Sequence, residues 1–163
     1  MHKHCVAKWM SMPPIVALPT TTLAEAQRLM ERHHIRRLPV VQDGRLVGIV
    51  TWGDLRAAWP SAATTLSAYE WRALLARATV AECMTRNPIT IAPDTPVLYA
   101  AQQMLTCKIS GLPVVQDGRV VGMITESDLF RLIISESIGA GPGDAKRTLP
   151  LRQVTAAVLE EDA

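Results

Sequence analysis

The sequence has few cysteines and no long apolar run. Cys5, Cys83 and Cys107 form no Cys-x-x-Cys pair, and an odd number argues against a disulfide framework and fits a reducing compartment. Apolar stretches such as Ile15–Leu18 and Leu46–Val50 fall far short of the roughly 18 residues that a membrane-spanning helix needs. No apolar run follows the basic N-terminus, which argues against a secretory signal. We therefore expect a cytoplasmic protein with no membrane partner.

Strong net charge and catalytic motifs are also missing. The formal charge is only +2, too little for the basic stripe that nucleic-acid binding by counterion release requires. The sequence contains no nucleophile elbow, no Walker phosphate loop and no His-Glu-x-x-His motif. We therefore expect a protein that is not an enzyme, holds no metal and requires no cofactor. Length is not limiting, since 163 residues are enough to bury a core.

What the sequence does contain is one unit written twice. Leu38–Arg45 recurs letter for letter as Leu112–Arg119, and 23 of the 50 residues from Val6 to Leu55 are identical to the residue 74 positions later. Chance does not supply such a match, and a repeat of this kind decides how the rest of the chain is interpreted. The predicted organisation is a first repeat at 6–60, a connecting helix at 61–78, a second repeat at 79–137 and a flexible tail at 138–163.

Each copy predicts the same order of elements. Ile15–Leu18, an apolar run closed by Pro19, is typical of a buried strand. Thr22 and Glu25 have the spacing of a capping box at the start of a helix. Asp43-Gly44 favours a two-residue turn between two strands, because both turn positions require positive φ.

A second helix, opening at Gly53 or Asp54, completes a β-α-β-β-α unit. One copy cannot bury both faces of its small sheet alone. The predicted fold class is therefore α+β, with two β-α-β-β-α repeats packed sheet to sheet about a pseudo-two-fold axis and a connecting helix between them.

Few polar residues are repeated inside this apolar pattern. Thr51 and Asp54 in the first copy match Thr125 and Asp128 in the second, where the last strand meets the second helix. Helix-start amides there attract anions, and a carboxylate accepts hydrogen bonds from a vicinal diol, so ribose phosphate is the simplest ligand that fits. The alternative is that these residues only cap the helix. Repetition does not separate the two, because a cap would be duplicated as well.

A basic cluster lies just before the second strand of the first copy. Arg36 and Arg37 are well placed for a phosphate, whereas the second copy has Ser110 and Gly111 at those positions. Two sites, if both exist, are therefore electrostatically unequal. The other members of the cluster, such as Arg28, are typical of a solvated helix end that complements the helix dipole.

These residues resemble a tandem pair of CBS domains, also called a Bateman module. The resemblance covers roughly Val6 to Ser137, and the arrangement is most similar to small stand-alone bacterial modules of the acetoin-utilisation AcuB type. The motifs that carry it are Met84-Thr85-x-x-Pro88-Ile89, Ile109-Ser110-Gly111-Leu112-Pro113-Val114-Val115 and Gly122-Met123-Ile124-Thr125-x-x-Asp128-Leu129, with their first-copy equivalents.

The resemblance implies a function and a ligand. Such modules usually pair into disc-shaped homodimers and commonly bind adenosine nucleotides or related adenosyl ligands in the clefts between their repeats. The implied ligand is AMP, ADP, ATP or S-adenosylmethionine, and the implied further partner is a protein that the module regulates.

The resemblance also assigns roles to individual residues of this chain. In the family, the aspartate at the junction of the last strand and the second helix holds the ribose hydroxyls. The threonine or serine residues of the same junction reach the phosphate or the ribose. Residues just before the second strand contact the phosphate and the ring. The first-strand isoleucines face the base of the ligand held by the opposite repeat. The implied ligand-binding residues are Thr51, Asp54, Thr125, Ser127, Asp128, Ile35, Arg36, Arg37, Ile109, Ser110, Ile15 and Ile89.

Two hypotheses follow for the function. The first is a regulatory module in which an adenosine ligand shifts the packing that a partner recognises. The second is a ligand-free dimerisation or scaffold module, in which the threonines and aspartates only cap helices. Trp52 stands where an acidic or small residue is common in the family, and it either reshapes one cleft or packs at a surface.

Overall fold

The computed structural model describes residues 4–58 and 67–137. The tail predicted at 138–163 and the first part of the predicted connecting helix lie outside the described residues. The elements are α1 (Val6–Trp9), α2 (Leu23–His33), β1 (Arg37–Gln42), β2 (Arg45–Thr51), α3 (Trp52–Ala57), α4 (Ala68–Arg77), α5 (Val80–Cys83), β3 (Thr85–Arg86), α6 (Val97–Cys107), β4 (Gly111–Gln116), β5 (Arg119–Thr125) and α7 (Glu126–Ser137).

Two small sheets carry the repeated hairpins. The first has the strand order β1-β2-β3 with antiparallel pairs, and the second pairs β4 with β5. The predicted turn is confirmed in both copies: Asp43 and Gly44 have φ of 50° and 76°, and Asp117 and Gly118 have φ of 52° and 77°. A mixed fold of helices and strands built from two copies of one unit is therefore confirmed.

Neighbouring residues cap α2 and α6, the first long helix of each copy. Thr22 accepts a hydrogen bond from the amide of Glu25, whose carboxylate accepts one in return, so the predicted capping box is confirmed. At the other end His34 caps α2 in the left-handed region, with φ of 52°. Its repeat equivalent Lys108 caps α6 in the same way, with φ of 53°.

The strand predicted at Ile15–Leu18 is shorter than expected. Only Ala17 forms a bridge, a parallel one to Val40, through hydrogen bonds of 2.9 Å to and from its neighbours in β1. The following residue turns away because the amide of Leu18 donates to the hydroxyl of Thr21 at 2.9 Å. The predicted buried strand is therefore reduced to Ala17, and Leu18 is 53% exposed.

The described residues form two compact units, and each unit contains segments of both sequence repeats. Residues 4–12, 90–114 and 122–137 form one, the second-repeat unit, and residues 13–58, 67–89 and 115–121 form the other, the first-repeat unit. In the second-repeat unit the amide of Val6 donates to the carbonyl of Thr95, and Ser11 pairs with Met123. The segment that opens the chain therefore packs on the second repeat.

In the first-repeat unit, the segment that opens the second copy packs on the first repeat in the same way. The amide of Val80 donates to the carbonyl of Thr21 at 2.8 Å, and β3 pairs with β2. These contacts close a core around β1, β2, α2 and α3. Its fully buried members are Ala17, Leu23, Ala26, Met30, Leu38, Val40, Val50, Leu55 and Val80.

Candidate functional site

The first junction, where β2 ends, is held by reciprocal hydrogen bonds. Thr51 has extended backbone angles and is the N-cap of α3. Its amide and its hydroxyl both donate to Oδ2 of Asp54 at 2.7 Å, and its hydroxyl oxygen accepts from the amide of Asp54 at 3.2 Å. Asp54 is half-buried.

The second junction repeats the two hydrogen bonds to the aspartate and adds one contact. The amide and hydroxyl of Thr125 donate to Oδ2 of Asp128 at 2.9 and 2.8 Å. Nη1 of Arg131 donates to Oδ1 of Asp128 at 2.8 Å. Asp128 is buried, with 1% of its surface exposed, and the ion pair compensates the cost of burying its charge.

Capping, one of the two alternatives that the sequence leaves open, is thus what the hydrogen bonds of Thr51 and Asp54 show. The helices begin at Trp52 and Glu126, so the prediction that Asp54 or Gly53 opens the first of them was wrong by one or two residues. The reason is that the threonine hydroxyl, not the carboxylate, takes the N-cap position, and the aspartate closes the box from the third helical position.

The residues predicted to precede the second strand of each copy, which is β1 in the first copy and β4 in the second, lie beside these junctions. The amide of Trp52 donates to the carbonyl of Arg36 at 2.8 Å, and Arg37 is the register partner of Thr51. In the second copy the amide of Glu126 donates to the carbonyl of Ser110 at 3.2 Å. The structure therefore brings these predicted residues together with the threonines.

The predicted isoleucines are not all equally placed. Ile15 and Ile35 are half-buried and pack against the core of the first-repeat unit. Ile109 is half-buried at the end of α6, where its amide donates to the carbonyl of Met104. Ile89 is 44% exposed.

Two residues that the sequence singled out lie at the starts of the second helices. Ser127 is exposed in the first turn of α7. Trp52 is half-buried and packs against the core of the first-repeat unit.

Cys83 is a neighbour of the first junction that sequence reasoning missed. Burial, followed by the carboxylates of Asp54 and Glu82, raises the pKa of its thiol above the ordinary value of 9.0. Cys83 and Trp52, the first residue of α3, pack against the same core, although 29 residues separate Cys83 from Asp54 in the chain. The only sequence clue is that Cys83 directly precedes Met84 of a repeated motif.

A wide concavity of about 730 Å³ lies elsewhere, along α2. It is lined by Thr21, Glu25, Arg28, Leu29, Glu31 and Arg32, none of which belongs to the predicted site. Interleaved charges of both signs on an exposed helix face are typical of a solvated surface.

The CBS domain model matches residues 6–61 and 80–135 of this chain. The chain belongs to the CBS-domain family. The resemblance seen in the sequence is thereby confirmed. Among curated relatives, a CBS domain-containing protein of Dictyostelium discoideum is 40% identical over 116 residues, 70% of this chain and 80% of that protein. The L-aspartate semialdehyde sulfurtransferase of Methanocaldococcus jannaschii is 38% identical over 125 residues, 76% of this chain and 22% of that protein.

Solved structures of CBS pairs match over most of their length. The CBS domain pair of protein MJ0100, in complex with 5-methylthioadenosine and S-adenosyl-L-methionine, is 36% identical with a TM-score of 0.67, covering 81% of this chain and 97% of that one. A protein of Vibrio cholerae assigned to acetoin utilization (AcuB) is 33% identical with a TM-score of 0.68, covering 81% and 91%. CBSX2 in complex with AMP is 28% identical with a TM-score of 0.67, covering 81% and 97%.

This CBS pair spans about a fifth of the length of several curated relatives, which include enzymes. Within residues 4–58 and 67–137, no helix is long and apolar enough to cross a membrane.

Proposed function

We propose that this CBS pair is a regulatory module that binds an adenosine nucleotide or adenosyl metabolite, with AMP, ADP, ATP and S-adenosylmethionine as the candidates. The observation that carries the proposal is the repeated junction, in which a threonine is hydrogen-bonded to an aspartate three residues later. The carbonyls of Arg36 and Ser110 accept from the first helical amide after each threonine. Related CBS pairs of the same fold have been solved with S-adenosyl-L-methionine and with AMP, which supports this ligand class.

Capping does not exclude ligand binding at the first junction. An ionised carboxylate offers about four acceptor positions on its two oxygens. Thr51 uses two of those positions, both on Oδ2 of Asp54. The acceptor positions that remain on Asp54 suit the two hydroxyls of a ribose. Because the cap already fixes the carboxylate, ligand binding does not lose the entropy of ordering its rotamer.

The assignments of residues follow the same logic in both copies. Asp54 and Asp128 are proposed to hold the ribose, and Thr51, Thr125 and Ser127 to contact ribose or phosphate. Arg36 and Arg37 are proposed to neutralise phosphate in the first copy, where Ser110 stands in the second. Ile35 and Ile109 would flank the ring, and Ile15 and Ile89 would face the base. The proposed role is regulatory and not catalytic.

A panel of thermal melts tests the proposal. Nucleotide-stripped protein is melted with each of the four candidate ligands beside its Asp54→Asn variant, in which the amide oxygen can still accept from Thr51. A ligand at a hundred times its dissociation constant should raise the midpoint by roughly 5–10 °C. A shift that is lost in Asp54→Asn supports the proposal, and wild-type melts that no candidate moves would contradict it.

We also propose that the chain forms a homodimer through the outer faces of α6 and α7. Leu98 and Leu105 are 81% and 80% exposed on α6, and Phe130 and Ile133 are 61% and 58% exposed on α7. α6 carries no charged residue, whereas its repeat equivalent α2 carries several. Exposed apolar side chains on adjacent helices favour an interface, and the charged face of α2 does not offer the same surface.

A further inference from the structure

The carboxylates of the two junctions differ in what they contact. Oδ1 of Asp128 accepts a hydrogen bond from Arg131, and Oδ2 accepts from Thr125, so the chain itself engages both oxygens. Three residues after Asp54 stands Ala57, whose side chain has no donor. The two hydrogen bonds that Asp54 accepts from Thr51 both end on Oδ2.

Exposure reinforces this difference. The side chain of Asp128 is 1% exposed, whereas that of Arg131 is 43% exposed. The guanidinium thus reaches from the surface to a buried carboxylate. A charge-assisted hydrogen bond is stronger than a neutral one, and a buried partner reduces the screening that weakens surface pairs. Asp54 is half-buried and lacks such a cover from its own helix.

The charges around the two junctions differ in the same sense. Beside the first junction lie Arg36 and Arg37, and its helix begins with the uncharged Trp52. Beside the second lies the neutral Ser110, and its helix begins with Glu126. The residues flanking the first junction thus carry more positive formal charge than those flanking the second, where Asp128 already neutralises the guanidinium of Arg131.

We propose that Arg131 is a latch that masks Asp128, so that the ligand-free chain offers one open ribose-binding carboxylate, Asp54, and one closed one. This inference rests on the proposed function. A ribose diol has to displace the guanidinium before it reaches Oδ1 of Asp128, whereas among residues 4–58 and 67–137 no side chain donates to Oδ1 of Asp54. The two sites therefore fill in order, the first at low ligand concentration and the second only when the latch opens.

Isothermal titration tests the latch with two opposite variants. AMP, ADP, ATP and S-adenosylmethionine are each titrated into wild type, Arg131→Ala and Ala57→Arg. At low ligand concentration wild type should bind one equivalent per chain, and Arg131→Ala should bind a second. Ala57 is exposed on α3, so an arginine there can copy the latch, and it should weaken the first site by about 10-fold to 100-fold, the cost of displacing one charge-assisted hydrogen bond. Arg119→Ala, which removes an exposed charge of the same repeat, is the matched control and should behave as wild type.

The outcomes separate this inference from the proposed function. One-site binding that stays unchanged in both Arg131→Ala and Ala57→Arg overturns the latch alone. Two equal sites in wild type also overturn it. If neither wild type nor Arg131→Ala binds any of the four ligands, the proposed function fails, and the latch fails with it. Ala57→Arg keeps the test decisive should Arg131→Ala fold poorly, because it leaves the buried carboxylate and its partner in place.

Discussion

Gly122 lies against Met10 so closely that a Cβ on the glycine would be 2.7 Å from Sδ of the methionine and 2.9 Å from the carbonyl oxygen of Ser11. The first-repeat unit repeats this relationship, since a Cβ on Gly48 would be 2.5 Å from Sδ of Met84. Each repeated glycine therefore admits the segment that opens the other copy.

Gly122→Ala should destabilise the protein by about 1–3 kcal/mol, because backbone of the opening segment has to move to accept the methyl group. Urea unfolding measures the change. Gly53→Ala is the matched control, since a Cβ there would meet only the hydroxyl of Thr51 at 3.5 Å and alanine is the better helix former. Equal stability of Gly122→Ala and wild type would contradict the close packing.

Acid should weaken the cap of α2. The amide and then the hydroxyl of Thr22 lower the pKa of Glu25 below its ordinary value of 4.5. A lowered folded-state pKa contributes stability above the unfolded value, and that contribution is lost as the pH falls from 4.5 through the folded-state pKa. Melting midpoints between pH 7 and 3 should therefore fall less steeply in Glu25→Gln than in wild type. Parallel pH profiles would show that the cap contributes nothing.

The thiol of Cys83 should report on Asp54. Because burial and the nearby carboxylates raise its pKa, alkylation by iodoacetamide at neutral pH should be slower than for a free cysteine, with the half-maximal rate above pH 9.0. Asp54→Asn should speed the reaction by removing one of those charges. The experiment uses a Cys5→Ser, Cys107→Ser background so that one thiol is read. An unchanged rate in Asp54→Asn would place the carboxylate away from the thiol.

The dimer face makes a prediction about mass in solution. Leu105→Glu should shift the protein from dimer to monomer in light scattering, because an unpaired charge would be buried at the interface. Glu31→Leu, at the equivalent position of α2, is the matched control and should leave the mass unchanged. A wild-type monomer, or a dimer that survives Leu105→Glu, would exclude this face.

Local features of the fold could be predicted because neighbouring residues decide them. The hairpin turns at Asp43 and Asp117 require positive φ, and the cap of α2 depends on residues three apart. The length of the first strand was missed because the hydroxyl of Thr21 captures the amide of Leu18, a local competition that hydropathy does not register.

Features that join distant segments were out of reach. The pairing of Ser11 with Met123 and the packing of Cys83 against the core of the first-repeat unit depend on packing that one sequence does not encode locally. The ion pair of Arg131 with Asp128 is different, since its i,i+3 spacing on one helix is readable. The sequence does not show that Asp128 is buried, and this burial is what reduces the screening of the ion pair.

The most direct test of the central claim is titration calorimetry of the best ligand of the melting panel into wild type and Asp54→Ala, with folding of both checked by circular dichroism. We predict saturable binding to wild type that weakens at least about tenfold in Asp54→Ala, since a ribose then loses a charged acceptor. Binding that is equally tight in a folded Asp54→Ala variant would contradict the claim that this carboxylate holds an adenosine ligand.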